Sequence, residues 1–98
     1  MSARKPKDPL HTTAMLNDFR VIPGVGKSIA QDFIDMGFTS RAQLAGKDPE
    51  KMYDDFCRMR GMHIDRCMLY VFRCAVYYVS TPVHEVEKLN WWYWKDGR

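Results

Sequence analysis

The chain has 98 residues, 46% of them hydrophobic, which is enough for one domain with its own core and too few for a second, catalytic domain. Three cysteines are an odd number, and the first residues are polar and basic, unlike a signal peptide, so we expect a reduced, cytoplasmic protein. The most apolar run, residues 67–79, is interrupted by Arg73 and would span only about 20 Å as a helix. No membrane partner is expected, because a bilayer core is roughly 30 Å thick.

The formal net charge is only +3, but the charges are unevenly distributed. Residues 1–30 carry five Lys or Arg against two Asp or Glu, residues 31–57 carry three against six, and residues 58–98 carry seven against four. Two basic ends therefore flank an acidic middle. This pattern is expected of a protein that turns one face toward phosphates.

The first predicted elements are a tail and a helix. Residues 1–9 are basic and lack apolar periodicity, which predicts a flexible basic tail. Residues 10–96 are expected to form a single domain. Thr12 or Thr13 can cap a first helix that runs to about Arg20, and Pro23 prevents its continuation.

The second predicted helix runs from Lys27 to Met36. Its inner face is apolar, and Gly37 suits the left-handed position that ends many helices. A short third helix is predicted near Ser40 to Ala45.

The sequence Asp-Pro-Glu at 48–50 predicts a fourth helix clearly, since it combines a capping acceptor, a proline at the first position and an acid near the positive end of the dipole. This helix should run to about Arg58, and Gly61 should break it. A fifth helix is predicted over 65–79, where twelve of fifteen residues are apolar or aromatic. It should form the axis of the core and stop before Pro82.

Between the first two helices stands Ile-Pro-Gly-Val-Gly-Lys, residues 22–27. Gly24 and Gly26 can take backbone angles that other residues resist, and Val25 can turn inward as an anchor. The amides of this turn and of the following helix start have no helical acceptors, so they predict an anion site open on its outer side. Lys27 adds a full positive charge.

Together with Ser28-Ile29-Ala30, this segment resembles the helix-hairpin-helix signature. The resemblance implies main-chain amides that grip DNA phosphates, often beside a bound monovalent cation, which is the one cofactor to consider. The predicted DNA-binding residues are Pro23, Gly24, Val25, Gly26, Lys27 and Ser28. A P-loop and a dinucleotide fingerprint fail on spacing, because Val21 and Ile29 stand where small residues would be required.

A second, degenerate hairpin is indicated at Met59 to Asp65, which can be laid over residues 22–28. Gly61 matches a glycine of the first hairpin, but His63 stands where the second glycine would be. Arg60, His63 and Arg66 are possible secondary contacts to nucleic acid. An ordinary turn between two helices explains the same residues equally well.

The most unusual cluster is Trp-Trp-Tyr-Trp at 91–94, which follows a possible helical turn at 85–89. Consecutive side chains point in different directions, so some rings can clamp onto the bundle while at least one stays free. Trp91, Trp92 and Trp94 are therefore candidates for a structural clamp, for stacking on a base, or for a partner surface.

The remaining reactive side chains favour structural roles. Cys67 and Cys74 share a helical face, and cysteines in an apolar helix are usually core residues, so we expect core packing and no metal site despite Cys57 and His63 nearby. Arg66 and Arg73 share a seven-residue spacing, which suits internal ion pairs with the fourth helix at least as well as a phosphate track. The histidines are scattered, and no catalytic group is recognisable.

Three segments, residues 44–53, 66–78 and 89–96, resemble a small bacterial family catalogued as "pathogenicity locus" proteins, which are stand-alone helix-hairpin-helix domains. That resemblance covers residues 13–96, and a looser similarity to the C-terminal domain of competence regulators implies the same fold. It implies an all-α, compact five-helix helix-hairpin-helix (SAM-like) bundle and says little about activity. We therefore expect a non-enzymatic module that binds DNA weakly and without sequence preference; the alternative is a protein-interaction module using the Trp-rich segment.

Overall fold

Four α-helices and three short 3₁₀ turns make up the regular structure of residues 9–97, the part of the chain that the computed structural model describes, with side chains from residue 12 onward. The helices are α1 (Pro9–Arg20), α2 (Lys27–Asp35), α3 (Pro49–Arg60) and α4 (Cys67–Ser80). The 3₁₀ turns are Arg41–Leu44, Val86–Leu89 and Trp91–Trp94. The prediction of a compact all-α structure is confirmed for these residues.

The prediction of five helices is wrong, because its third helix is the 3₁₀ turn Arg41–Leu44. This segment spans four residues and leads into Ala45, which already has extended backbone angles. A single turn of this length cannot make the repeated bonds of an α-helix. The predicted turn at 85–89 is likewise a 3₁₀ turn, Val86–Leu89.

The first helix begins earlier than predicted. It starts at Pro9, and proline is well suited to the first helical position because its φ angle is already helical. Neither predicted threonine marks the start, and the buried hydroxyl of Thr12 has no hydrogen-bond partner among the described residues. The rest of the predicted tail, residues 1–8, lies outside the described residues.

The ends of α2 and α3 form as the sequence predicts. Gly37 follows α2 with a φ of +101°, and Gly61 follows α3 with a φ of +70°, both in the left-handed region. At the start of α3, Asp48 Oδ1 accepts hydrogen bonds from the amides of Glu50 and Lys51 at 3.0 and 3.4 Å. These local interactions fix where each helix begins or ends.

Two helix pairs, α1 with α2 and α3 with α4, meet at a cluster of phenylalanines. Phe33 of α2 lies 5.1 Å from Phe19 of α1 and 5.6 Å from Phe72 of α4, between ring centroids. Phe72 in turn packs edge-on against Phe56 of α3 at 5.9 Å. Phe19, Phe33 and Phe72 are fully buried, so these rings join the two pairs into one core.

Helix α4 is the axis of the core, as its composition predicts. It packs against α3, against Arg41–Leu44 and against the chain that follows it. The segment of residues 86–96, here called the aromatic segment, returns along α4 and carries the last two 3₁₀ turns. No helix among residues 9–97 is long and apolar enough to cross a membrane.

Candidate nucleic-acid interface

The α1–α2 turn, residues 21–26, is held from inside by two buried apolar side chains. Ile22 and Val25 are both in the core, and the amide of Val25 donates to the carbonyl of Ile22 at 3.1 Å. Val25 is therefore the inward anchor that the sequence predicts. Gly24, Gly26 and Lys27 stay on the surface between the two helices.

The two glycines of the turn serve different purposes. Gly24 has a φ of +82°, which other residues resist, whereas Gly26 has a φ of −93° and a ψ of −169°, which any residue can adopt. The prediction that the glycines supply backbone angles that other residues resist is thus confirmed for Gly24 and wrong for Gly26. A Cβ atom at Gly26 would meet no atom within 4 Å, so its glycine leaves the surface open.

The space beside Gly24 is occupied by the aromatic segment. A Cβ atom at Gly24 would lie 3.6 Å from Cδ1 of Trp91, an ordinary packing distance. Gly24 is still exposed, but Trp91 covers part of the side of the turn that we expected to be open. The accessible backbone is instead at Gly26 and in the first turn of α2.

The start of α2 differs from that of α3 in having no side-chain cap. Gly26 occupies the capping position, and the first backbone bond of the helix runs from the amide of Ala30 to the carbonyl of Gly26 at 2.9 Å. The amides of Lys27 and Ser28 therefore find no acceptor among the described residues, and both residues are exposed. They form an accessible site of positive potential at the end of the helix dipole.

Two uncompensated cations flank the turn. Arg20 ends α1 and Lys27 begins α2, and neither forms an ion pair within residues 9–97. Each of the other described arginines is paired with an acid; these are Arg41, Arg58, Arg60, Arg66 and Arg73. Sequence reasoning missed Arg20, although its place at the last position of α1, directly before the turn, could have singled it out.

The three residues predicted as secondary contacts to nucleic acid, Arg60, His63 and Arg66, have different surroundings. Arg60 bridges Asp32 and Asp35 of α2, at 2.9 Å to each, so it ties the end of α3 to the first helix pair. Arg66 is paired with Asp96. His63 is exposed in the α3–α4 turn and contacts Tyr53 edge-on at 6.5 Å. The charge of both arginines is thus balanced within the fold.

Arg73 holds the aromatic segment against the bundle. Its guanidinium binds Glu50 at the start of α3 at 2.6 Å, Asp96 at 3.0 Å and the carbonyl of Trp94 at 2.8 Å. The interpretation of Arg73 as an internal ion partner of the fourth predicted helix is confirmed by Glu50. The Arg66 guanidinium, followed by Arg73, holds the pKa of the Asp96 carboxyl well below its usual range.

Two of the three tryptophans clamp the aromatic segment, and one remains largely free. Trp94 donates from Nε1 to the carbonyl of Lys88 at 3.0 Å, and its ring lies 5.4 Å from Tyr77. Trp91 packs on the core and beside Gly24. Trp92 is 53% exposed, and its ring stands edge-on to Trp91 at 5.8 Å. The predicted division between clamping and free rings is confirmed.

The cysteines do not share one environment. Cys74 is buried, and burial raises the pKa of its thiol to about 11, so it is a core residue as predicted. Cys67 is exposed, contrary to the prediction, because it is the first residue of α4 and lies outside the packed part of that helix. Within residues 9–97 no three His, Cys, Asp or Glu side chains come together as metal ligands would.

The comparison with known proteins shows which family the chain belongs to. The family model described as "Cdd1: Pathogenicity locus" matches residues 12–98. The chain belongs to this family. Residues 12–98 include the α1–α2 turn and the aromatic segment, so the contact between Gly24 and Trp91 lies inside the region that defines Pathogenicity locus proteins.

One curated relative of this Pathogenicity locus protein has a descriptive name. It is the "Mitomycin resistance protein McrB" of Streptomyces lavendulae, which is 29% identical over 85 residues, covering 84% of this chain and 74% of the relative. No solved structure matches the chain significantly. The comparisons therefore show the family.

Alanine at the two turn glycines is expected to have different effects on stability. Gly24→Ala should lower the free energy of unfolding by about 1 to 2 kcal/mol, since it places a side chain in the left-handed region. Gly26→Ala should cost less than about 1 kcal/mol, because the backbone angles are ordinary and the space is empty. Urea unfolding followed by circular dichroism measures the stability of both variants. Equal losses would contradict the conclusion that only Gly24 requires a glycine for its backbone angles.

Acid is expected to release the aromatic segment. The pKa of Asp96 is lowered in the folded protein from its usual 3.8, so its ion pairs contribute their full stability above about pH 4, and this contribution is lost as the pH falls to the lowered pKa. Tryptophan emission should then shift to longer wavelength. Asp96→Asn should show the shifted emission already at pH 7, and a variant with unchanged emission would contradict this role.

Proposed function

We propose that the α1–α2 turn is a helix-hairpin-helix motif and that the protein is a non-enzymatic module that binds the DNA backbone without reading sequence. The observation that carries this proposal is the open, uncapped start of α2 at Gly26, which lies in the chain between Arg20 and Lys27, two cations without an ion pair among residues 9–97. A phosphate placed there would meet the amides of Lys27 and Ser28 and the charge of Lys27.

Pro23 and Val25 support this site indirectly. Val25 is buried and pulls the turn inward, and Pro23 separates it from α1, so the amide surface stays in one shape before any ligand binds. We add Arg20 to the proposed contacts, because it is the last residue of α1 and the turn begins directly after it. Arg60 and Arg66 are at most secondary contacts in this proposal, since both are already ion-paired.

A monovalent cation beside the turn belongs to the same proposal. The carbonyl oxygens of Pro23, Gly24 and Val25 receive no hydrogen bond from the described part of the chain, and such oxygens suit a hard cation. When bound, the ion would add positive charge near a phosphate. Replacing potassium by tetramethylammonium at equal ionic strength should weaken DNA binding if the ion takes part.

Salt dependence is the direct test of backbone binding. With three or four phosphates in contact, the log of the affinity should fall against the log of salt concentration with a slope near −3, at about −0.9 per phosphate. Fluorescence anisotropy with a labelled duplex of arbitrary sequence at low salt measures this slope. A second duplex of scrambled sequence should bind equally well.

The matched variants are Lys27→Ala combined with Gly26→Val, and Lys47→Ala as a control. Lys47 is also exposed and without an ion pair among residues 9–97, but it lies far along the chain from the hairpin. The double variant should lose most of the binding, while the control should lose little. Absence of binding at high micromolar protein, or equal affinities for all variants, would rule the proposal out.

The alternative is a protein-interaction module of the same fold. It is favoured by three exposed apolar side chains in and before the aromatic segment, Val83, Val86 and Trp92. Light scattering should then show self-association that Trp92→Ser and Val86→Ser abolish, with no effect of Lys27→Ala. The name of the mitomycin resistance relative is compatible with either module, because a resistance protein can act by binding alone.

A further inference from the structure

The exposed tryptophan of the aromatic segment lies next to the hairpin through one intervening ring. Trp91 packs beside Gly24 and also meets the ring of Trp92 edge-on. These contacts bring residues nearly seventy positions apart in sequence into one surface. The hairpin backbone and the exposed indole of Trp92 are therefore neighbours that share contacts with the Trp91 side chain.

Trp92 is held in place although it is exposed. The residues on both sides of it are anchored, Trp91 by the core and Trp94 by the carbonyl of Lys88 and the guanidinium of Arg73. An aromatic ring that is 53% exposed on a fixed segment loses little conformational freedom when a ligand stacks on it. None of the hydrogen bonds or ion pairs found within residues 9–97 uses its indole, so the exposed part of the ring is available to a ligand.

The ligand that suits both features is a nucleic acid with an unpaired base. In a duplex both faces of each base are covered by neighbouring base pairs, and opening a step costs a few kcal/mol. A base in a single strand, an overhang or a junction offers its face without that cost, and an aromatic side chain can stack on it. The phosphate would then lie at the hairpin while the base lies on Trp92.

We propose that Trp92 is a base-stacking residue and that the hairpin surface prefers single-stranded over duplex DNA. This inference rests on the proposed backbone binding and adds the class of substrate. The preference would be for unpaired structure and not for sequence, because every base has an aromatic face. It also assigns the aromatic segment a role beyond clamping the bundle.

The test compares three labelled probes of equal length in anisotropy titrations: oligo(dT), an abasic strand with the same number of phosphates, and a duplex. The wild-type chain should bind oligo(dT) most tightly. Trp92→Ala should weaken oligo(dT) binding by about 10-fold or more, equal to about 1.4 kcal/mol, and should leave the abasic strand and the duplex unchanged. Trp92→Phe should restore most of the loss.

Val86→Ala is the matched control, since it removes another exposed apolar side chain of the same segment and should change no affinity. Circular dichroism melting shows whether each variant keeps its fold; if Trp92→Ala does not, the comparison of Trp92→Phe with Trp92→Leu replaces it. Equal losses on all three probes, or none on oligo(dT), would overturn the stacking proposal. If Lys27→Ala leaves abasic-strand binding intact, the backbone proposal itself fails.

Discussion

Replacing Phe72 with alanine is expected to remove about 3 to 5 kcal/mol from the free energy of unfolding, the largest effect of any substitution considered. Phe72 is fully buried, and its ring contacts Phe33 of the first helix pair and Phe56 of its own pair. Alanine would leave a cavity where the pairs join. Domains of this size have only about 5 to 15 kcal/mol in total, so the variant should be close to unfolding at physiological temperature.

Urea titration followed by circular dichroism at 222 nm checks this expectation. Phe72→Leu should cost much less, because it retains most of the apolar volume. Val83→Ala, at a residue that is 80% exposed, should be nearly neutral. If Phe72→Ala cost less than about 1 kcal/mol, the two helix pairs would not share one core.

Gly26→Asp is expected to stabilise the fold and to eliminate DNA binding. The extended backbone of Gly26 suits a capping residue, and an aspartate there can accept hydrogen bonds from the first amides of α2, as Asp48 does in α3. Capping and the helix dipole together should add about 0.5 to 1 kcal/mol to stability. The same carboxylate would occupy the anion site and repel a phosphate, which should weaken binding by about 100-fold or more at low salt.

Two further variants separate the causes. Gly26→Ser should cap the helix without charge, so it should stabilise slightly and weaken binding less than aspartate. Thr39→Asp adds the same charge at another exposed position and should change binding only slightly. Thermal melting and anisotropy on the same samples give both quantities. Gly26→Asp with unchanged affinity would exclude a phosphate at the start of α2.

Features set by neighbours in the chain were predictable. The Asp-Pro-Glu start of α3 and the left-handed glycines Gly37 and Gly61 follow from capping chemistry that acts within a few residues. The apolar face of α2 follows from its periodicity. Where the local signal was weak, as at Arg41–Leu44, sequence reasoning predicted a helix of the wrong type.

The site was only half predictable, because part of it depends on distant contacts. Gly26 and Lys27 could be selected from the motif alone. The cover of Trp91 over Gly24 could not, since nothing in either local sequence specifies that the segments meet. The place of Arg20 before the turn could be seen in the sequence, but its lack of an ion pair within residues 9–97 could not, since pairs such as that of Arg60 with Asp32 join distant segments.

The three contacts of Arg73 constrain which substitutions related chains can accept. Its guanidinium serves Glu50, Asp96 and the carbonyl of Trp94 at once, and its side chain is only 18% exposed. A lineage that replaced Arg73 alone would leave Glu50 without its ion-pair partner, whereas Asp96 would keep Arg66. In an alignment of relatives, positions 50 and 73 should therefore covary, with neutral residues arising at both or at neither.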